Sequence, residues 1–346
     1  MRVLSYALAI GIGFASLTAP AAAFDITGAG ATFPFPVYTK WAEAYRNEAG
    51  VGLNYQSIGS GGGIKQIESR TVDFGATDAP LSAKELEKAG LVQFPSVMGG
   101  VVAVVNVEGL ESGKLRLTGE VLADIFMGKI EKWNDLRIAE LNAGVGLPDA
   151  TIVPVYRSDS SGTTSIFTTY LSEVSEDWKA AYGSNKTISW PVGQGGKGNE
   201  GVAATVRQVP NSIGYVEYAY AKQGGLPVVL VRNAAGNYPQ PDLASFQAAG
   251  ASADWRAAAG LGISLTNQPG NDAWPITAAT FILVPAKPED PERTAEVLKF
   301  FDWAYENGDA LAAELDYVPL PDAVVGEIRT EWKSVVDTAG KSIYGM

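Results

Sequence analysis

Three times in this chain a strand-like stretch runs into a set of small residues and then into a helical pattern. The first set, Gly28-Ala29-Gly30-Ala31-Thr32-Phe33, follows Asp25-Ile26-Thr27 and precedes a helix with Val37, Trp41 and Tyr45 on one face. The second, Gly59-Ser60-Gly61-Gly62-Gly63, lies between the strand-like Leu53-Asn54-Tyr55-Gln56 and a helix over 64–69. The third, Ser158-Asp159-Ser160-Ser161-Gly162-Thr163, joins a strand over 151–156 to a helix reaching Leu171. Strand–loop–helix order specifies an α/β fold with a mostly parallel sheet, because parallel strands need a crossover between them. Open sheets of this kind gather their strand-end loops into one crevice.

The remaining pattern agrees. Val72-Asp73-Phe74-Gly75-Ala76 reads as a strand ending at Thr77-Asp78. Ser82 and Glu85 form a capping box, and Leu81 and Leu86 have the spacing of a hydrophobic staple. Val101-Val102-Ala103-Val104-Val105 and Ala279-Thr280-Phe281-Ile282-Leu283-Val284 are apolar enough for strands buried on both faces. Helical patterns fall near 120–127, 136–141 and 201–209, with a strand at 212–216. Two amphipathic helices close the chain; one runs from Pro291 to before Gly308, and the other opens at Pro321 and buries Val325, Ile328, Trp332 and Val335. No fixed-period repeat is present.

Composition removes many functions. With no Cys there is no disulfide or thiolate nucleophile, and with no His there is no imidazole base, His-ligated zinc or Ser-His-Asp triad. A net charge of −12 argues against a nucleic-acid or anionic-membrane partner. At the N-terminus, Arg2, the apolar run over 4–15 and Ala21-Ala22-Ala23 have the form of a signal peptide over 1–23, cleaved after Ala23. The mature chain is then exported, and at 346 residues in all it must rely on a large core instead of crosslinks.

The loops suggest an anion site. A helix N-terminus presents unpaired N–H groups and about half a positive charge. Thr32, Ser60, Ser161 and Thr163 add hydroxyls. Each loop alone reads first as an ordinary turn with a Ser/Thr cap; three in one chain weigh against that and toward a site. Arg157, just before the third loop, has the fork that pairs with an oxyanion. Asp159 can cap the helix or fix the Arg157 guanidinium. Asp78 is the unusual member, since a carboxylate repels an anion unless that anion brings a proton, as phosphate does near neutral pH and sulfate does not. Two other motifs mislead. Residues 193–198 match G-x-G-x-x-G, but they follow Trp190-Pro191-Val192 without the acidic residue of a dinucleotide site, and Lys197-Gly198 is no Walker A. Asp159-Ser160-Ser161 suggests a phosphatase serine, yet no His can serve it; an all-carboxylate Mg²⁺ site stays open.

Together these motifs resemble the phosphate-specific periplasmic binding proteins of bacterial ABC importers. The runs over 27–34, 58–63, 72–78 and 157–163, with Gly214-Tyr215-Val216-Glu217-Tyr218-Ala219 and Leu298-Lys299-Phe300-Phe301-Asp302-Trp303-Ala304, carry the resemblance over essentially the whole mature chain. It implies a periplasmic-binding-protein fold with two mostly parallel-sheet lobes joined by two crossovers and a ligand in the cleft. Lobe I would take 24–105 and 278–346 and lobe II 106–277, with crossovers near 101–105 and 276–281. The ligand, inorganic phosphate, would be held by Ala31, Thr32, Phe33, Ser60 and Asp78 from lobe I and by Arg157, Ser161, Gly162 and Thr163 from lobe II. Asp159 would orient Arg157, and Asp78 would accept the phosphate proton. Ser160 departs from the usual Gly. The resemblance further implies a periplasmic monomer that is not an enzyme, carries no cofactor or metal, and delivers phosphate to permease subunits backed by a cytoplasmic ATPase. A binder of another oxyanion and a phosphatase are the alternatives.

Overall fold

The computed structural model describes residues 25–251 and 253–345; the expected signal peptide lies outside them. Eleven strands are formed among these residues: β1 (Ile26–Gly30), β2 (Leu53–Ser57), β3 (Phe74–Thr77), β4 (Leu91–Asn106), β5 (Arg116–Leu117), β6 (Val153–Arg157), β7 (Gln194–Gly196), β8 (Ser212–Glu217), β9 (Leu230–Val231), β10 (Leu265–Thr266) and β11 (Ile276–Pro285). Nine form one sheet in the order β2-β1-β3-β11-β4-β8-β6-β7, with β10 on β11; β5 and β9 pair separately.

The sheet is parallel in its wings and antiparallel at its centre. β2, β1 and β3 run parallel, as do β8, β6 and β7, whereas β11 and β4 pair antiparallel with each other and with their outer neighbours. The expected α/β architecture is present, with its parallel strands in the two wings and an antiparallel centre between them. The reason lies in β4, whose first part pairs with β11 up to Gly100 and whose second part pairs with β8 from Val101. One 16-residue strand thus serves both halves of the sheet. Trp274 fastens the changeover, its indole N–H donating to the Val101 carbonyl at 2.8 Å.

Helices pack on the strands as the apolar faces require. The helix Phe35–Ala49 buries Val37, Trp41 and Tyr45. Ser82 caps the helix Ala83–Ala89 with both capping-box bonds formed, and Leu81 and Leu86 share one buried cluster. Trp133, Trp178, Trp274 and Trp332 are fully buried, giving the crosslink-free core its bulk. Among the described residues no helix is long and apolar enough to cross a membrane.

Candidate functional site

The loops at the strand ends meet between the two halves of the sheet. Thr32 and Phe33 lie in the turn after β1, Ser60 opens the helix Ser60–Glu68, and Asp78 directly follows β3. From the other half, Arg157 ends β6, Ser161 caps the helix Gly162–Val174, and Gly162 and Thr163 are its first residues. Thr32, Ser60, Asp78, Arg157, Ser161 and Thr163 are all buried.

Ser60 bridges the halves. Its Oγ accepts the Gly162 N–H at 3.1 Å and the Asp78 N–H at 3.2 Å. Asp78 also accepts from Thr280 Oγ1 at 2.7 Å. Burial pushes the Asp78 carboxyl up to about 7, against the pull of Thr280, Arg157 and Ser60. A buried carboxyl that is half-protonated near neutrality can take or share a proton with an anion beside it.

Arg157 is clamped. Its Nε donates to Asp159 Oδ1 at 2.8 Å, Nη2 to Asp159 Oδ2 at 2.5 Å, and Nη1 to Thr163 Oγ1 at 3.2 Å. Among the described residues, two of its five N–H groups have no acceptor. Burial opposes ionisation of Asp159, but Arg157 and the Gly198 N–H hold its carboxyl below the usual range. Of the two roles open to it, capping the helix or fixing the guanidinium, Asp159 therefore takes the second, and Ser161 does the capping.

Among the described residues, the amides of Thr32, Phe33 and Thr163 have no acceptor. The Ala31 amide is already bound to the Ala76 carbonyl at 2.9 Å, and the Ser161 amide to Lys186 O at 2.9 Å. Ala31 therefore has no N–H to give a ligand. The Phe33 ring packs edge-on against Tyr317, which leaves its backbone as the only part facing the turn's open amides.

Asn199 is one residue that sequence reasoning missed. It is fully buried, and its Nδ2 donates to Thr32 Oγ1 at 2.7 Å and Thr163 Oγ1 at 3.1 Å. With those oxygens occupied as acceptors, each hydroxyl has its own proton to direct elsewhere. Asn199 lies just past the 193–198 glycine motif, which forms β7 and opens the helix Gly198–Gln208. That motif is a strand–helix junction that serves Asp159 and two threonines, not a nucleotide. Gly198 needs its left-handed φ of 71° to turn its N–H toward Asp159 Oδ1 at 3.0 Å. No three of His, Cys, Asp and Glu among the described residues are grouped as a metal would require.

A mixed sheet whose two halves bring backbone amides, hydroxyls and an Arg together where their strand-end loops meet has the arrangement of a solute-binding protein. Comparison with known proteins is specific. A family model described as a PBP superfamily domain matches residues 15–307. The phosphate-binding protein PstS of Pasteurella multocida is 52% identical over 339 residues, covering 98% of each chain, and that of Haemophilus influenzae is 54% identical over 314 residues, covering 91% of this chain and 94% of its own. In fold, a phosphate-binding protein from Stenotrophomonas maltophilia matches with a TM-score of 0.70 at 22% identity, over 94% of this chain and 99% of that one. A phosphate-bound periplasmic phosphate-binding protein matches with a TM-score of 0.72 at 24% identity, over 92% and 96%. The chain belongs to the PBP superfamily and, within it, to the PstS phosphate-binding protein family, whose members are transport binding proteins and not enzymes.

Proposed function

We propose that this chain is an exported, periplasmic receptor for inorganic phosphate that hands its ligand to the permease subunits of an ABC importer driven by a cytoplasmic ATPase, and that it works as a monomer. The reading rests on one observation above all: Asp78, a buried carboxyl, shares Ser60 Oγ with the Gly162 amide and so stands among anion donors. An anion that shares a proton with Asp78 is favoured there, and a fully ionised tetrahedral anion is repelled.

Thr32, Phe33 and Ser60 bind from the first half together with Asp78; Arg157, Ser161, Gly162 and Thr163 bind from the second, with Asp159 behind Arg157 and Ala31 shaping the turn. The lobes are 24–105 with 278–346, and 106–277. Change of partner within β4 between Gly100 and Val101 supports a crossover there. Burying a dehydrated anion requires a donor for every oxygen, and an unpaired buried charge costs several kcal/mol. The overall negative charge does not draw phosphate in, so the local amides and Arg157 must. Isothermal titration with phosphate, sulfate and molybdate, beside an ester-hydrolysis assay, tests the reading. Binding of phosphate alone without hydrolysis is the expected result. Preference for sulfate or molybdate, or turnover of an ester, overturns it.

A further inference from the structure

Three tyrosine hydroxyls converge on three consecutive carbonyls of the turn after β1. Tyr55 Oη donates to Ala31 O at 2.7 Å, Tyr220 Oη to Thr32 O at 2.6 Å, and Tyr317 Oη, which also lies 2.7 Å from Glu217 Oε2, to Phe33 O at 2.6 Å. They arrive from separate places: Tyr55 from β2, Tyr220 from the helix Tyr218–Gly224 after β8, and Tyr317 from the segment after the helix Asp309–Ala313. Thr32 O also receives the Phe35 N–H, at the longer distance of 3.3 Å.

A trans peptide is one rigid plane in which C=O and the following N–H point in opposite directions, and none of the described peptides is cis. Holding Ala31 O therefore aims the Thr32 N–H, and holding Thr32 O aims the Phe33 N–H. The third peptide leads into Pro34, which has no N–H, so Tyr317 fixes the turn without aiming a donor. A hydrogen bond to a carbonyl also polarises its peptide and strengthens the N–H on the far side. Burial holds all three phenols well above their ordinary value, so they stay protonated donors through the physiological range.

We propose that Tyr55 and Tyr220 are positioning residues of the anion site, aiming and polarising the Thr32 and Phe33 amides, with Tyr317 as the anchor of the same turn. This rests on the phosphate reading. It adds that each tyrosine acts on a different ligand donor. Tyr220 comes from the β8 side, so the Phe33 donor is at full strength only when that side lies against the turn.

Amide-proton shifts of Thr32 and Phe33 in the ¹⁵N-labelled full chain, without and with inorganic phosphate, test it alongside phosphate affinity. Tyr55→Phe should move the Thr32 proton upfield and leave Phe33, while Tyr220→Phe should do the reverse. Each variant should bind phosphate roughly 3–10-fold more weakly, the loss of one neutral hydrogen bond. Unmoved shifts, shifts that move together in both variants, or selective shifts with unchanged affinity overturn the proposal. If the wild-type chain binds no phosphate, the phosphate reading fails, and the ligand-free shifts still decide the amide assignment. Should Tyr220→Phe not fold, 3-fluorotyrosine at 220, a stronger donor of nearly the same shape, should shift the Phe33 proton downfield; an unmoved proton overturns the proposal.

Discussion

Thr280 Oγ1 donates to Asp78 Oδ1 at 2.7 Å, joining residues 202 positions apart in the chain. The bond places the Asp78 carboxyl between β3 and β11 and occupies one of its oxygens, while the other, Oδ2, has Ser60 Oγ at 3.5 Å. Burial raises Asp78 to about 7 and Glu217 to about 8. Both folded-state values lie above the ordinary carboxyl range. Their contribution to stability is therefore complete below about pH 4 and is lost as pH rises through 7 and then 8. The ligand-free protein should melt at progressively lower temperature between pH 5 and 8.5, and Asp78→Asn should flatten the lower part of that slope. A melting profile unchanged by Asp78→Asn would show that Asp78 is not titrating there. In the same variant phosphate loses a charge-assisted bond of about 1.5–3 kcal/mol and repulsion falls. The phosphate-to-sulfate preference should narrow.

Arg157→Lys keeps a charge and loses the fork that meets both Asp159 oxygens and Thr163. Phosphate binding should weaken by roughly 10–100-fold, the scale of one or two hydrogen bonds to a charged group, mostly through faster release. Stopped-flow release rates with circular dichroism as a fold control check it. Unchanged release would place Arg157 outside the ligand's reach.

Asn199 gives a contrast between two substitutions. Asn199→Ala removes the Nδ2 bonds to the two threonine hydroxyls, though the backbone N–H of 199 still reaches Thr32 Oγ1 and Arg157 still reaches Thr163 Oγ1, and it deprives the Glu217 N–H of Asn199 Oδ1, now 2.9 Å away. Such a loss costs about 1–3 kcal/mol of stability. Asn199→Asp preserves that acceptor but turns the hydroxyl protons of Thr32 and Thr163 toward itself and away from the pocket. Calorimetry should find Asn199→Asp the poorer phosphate binder and Asn199→Ala the less stable fold. The opposite ranking in affinity would mean that the hydroxyl protons do not face the ligand.

What was legible in the sequence follows from range. Local signals survived: the Ser82–Glu85 box, the buried faces of the two C-terminal helices, and the placing of Arg157 and Ser161 at one strand–helix junction. The stretch Gly59–Gly63 read as a loop, but Ser60–Gly63 is the first turn of a helix, because glycine's weak helix propensity is overridden by packing. Gly63 is held there by contact: a Cβ would lie 2.5 Å from Ala29 O. Gly28 and Gly30 belong to β1, and a Cβ on Gly28 would strike the Phe74 ring at 2.2 Å. β4 read as five residues and is sixteen, since Pro95, Gly99 and Gly100 interrupt its pattern while two different partners extend it. Asn199, Thr280 and the three tyrosines carry no local signature; their bonds join distant segments and exist only in the fold.

Gly61 and Ser160 supply the last prediction. The Gly61 N–H donates to Ser160 O at 3.0 Å, and a Cβ on Gly61 would lie 2.2 Å from Ser160 Oγ and 2.5 Å from its Cβ. The Ser160 side chain therefore fills the space that any larger residue at 61 would need, across the junction between the two halves. Gly61→Ala forces Ser160 to move and should hold the loops apart, weakening phosphate binding, although alanine in a helix is otherwise worth about 0.5–1 kcal/mol over glycine. Ser160→Gly alone leaves the backbone bond in place and should cost little. Combined, the two substitutions relieve the clash, so the double variant should bind phosphate far better than Gly61→Ala alone. A double-mutant cycle on phosphate affinity should then show coupling of about 1–2 kcal/mol, within the range for residues in contact. Additive losses would mean that Ser160 yields freely to a residue at 61 and that this contact does not set how closely the halves meet.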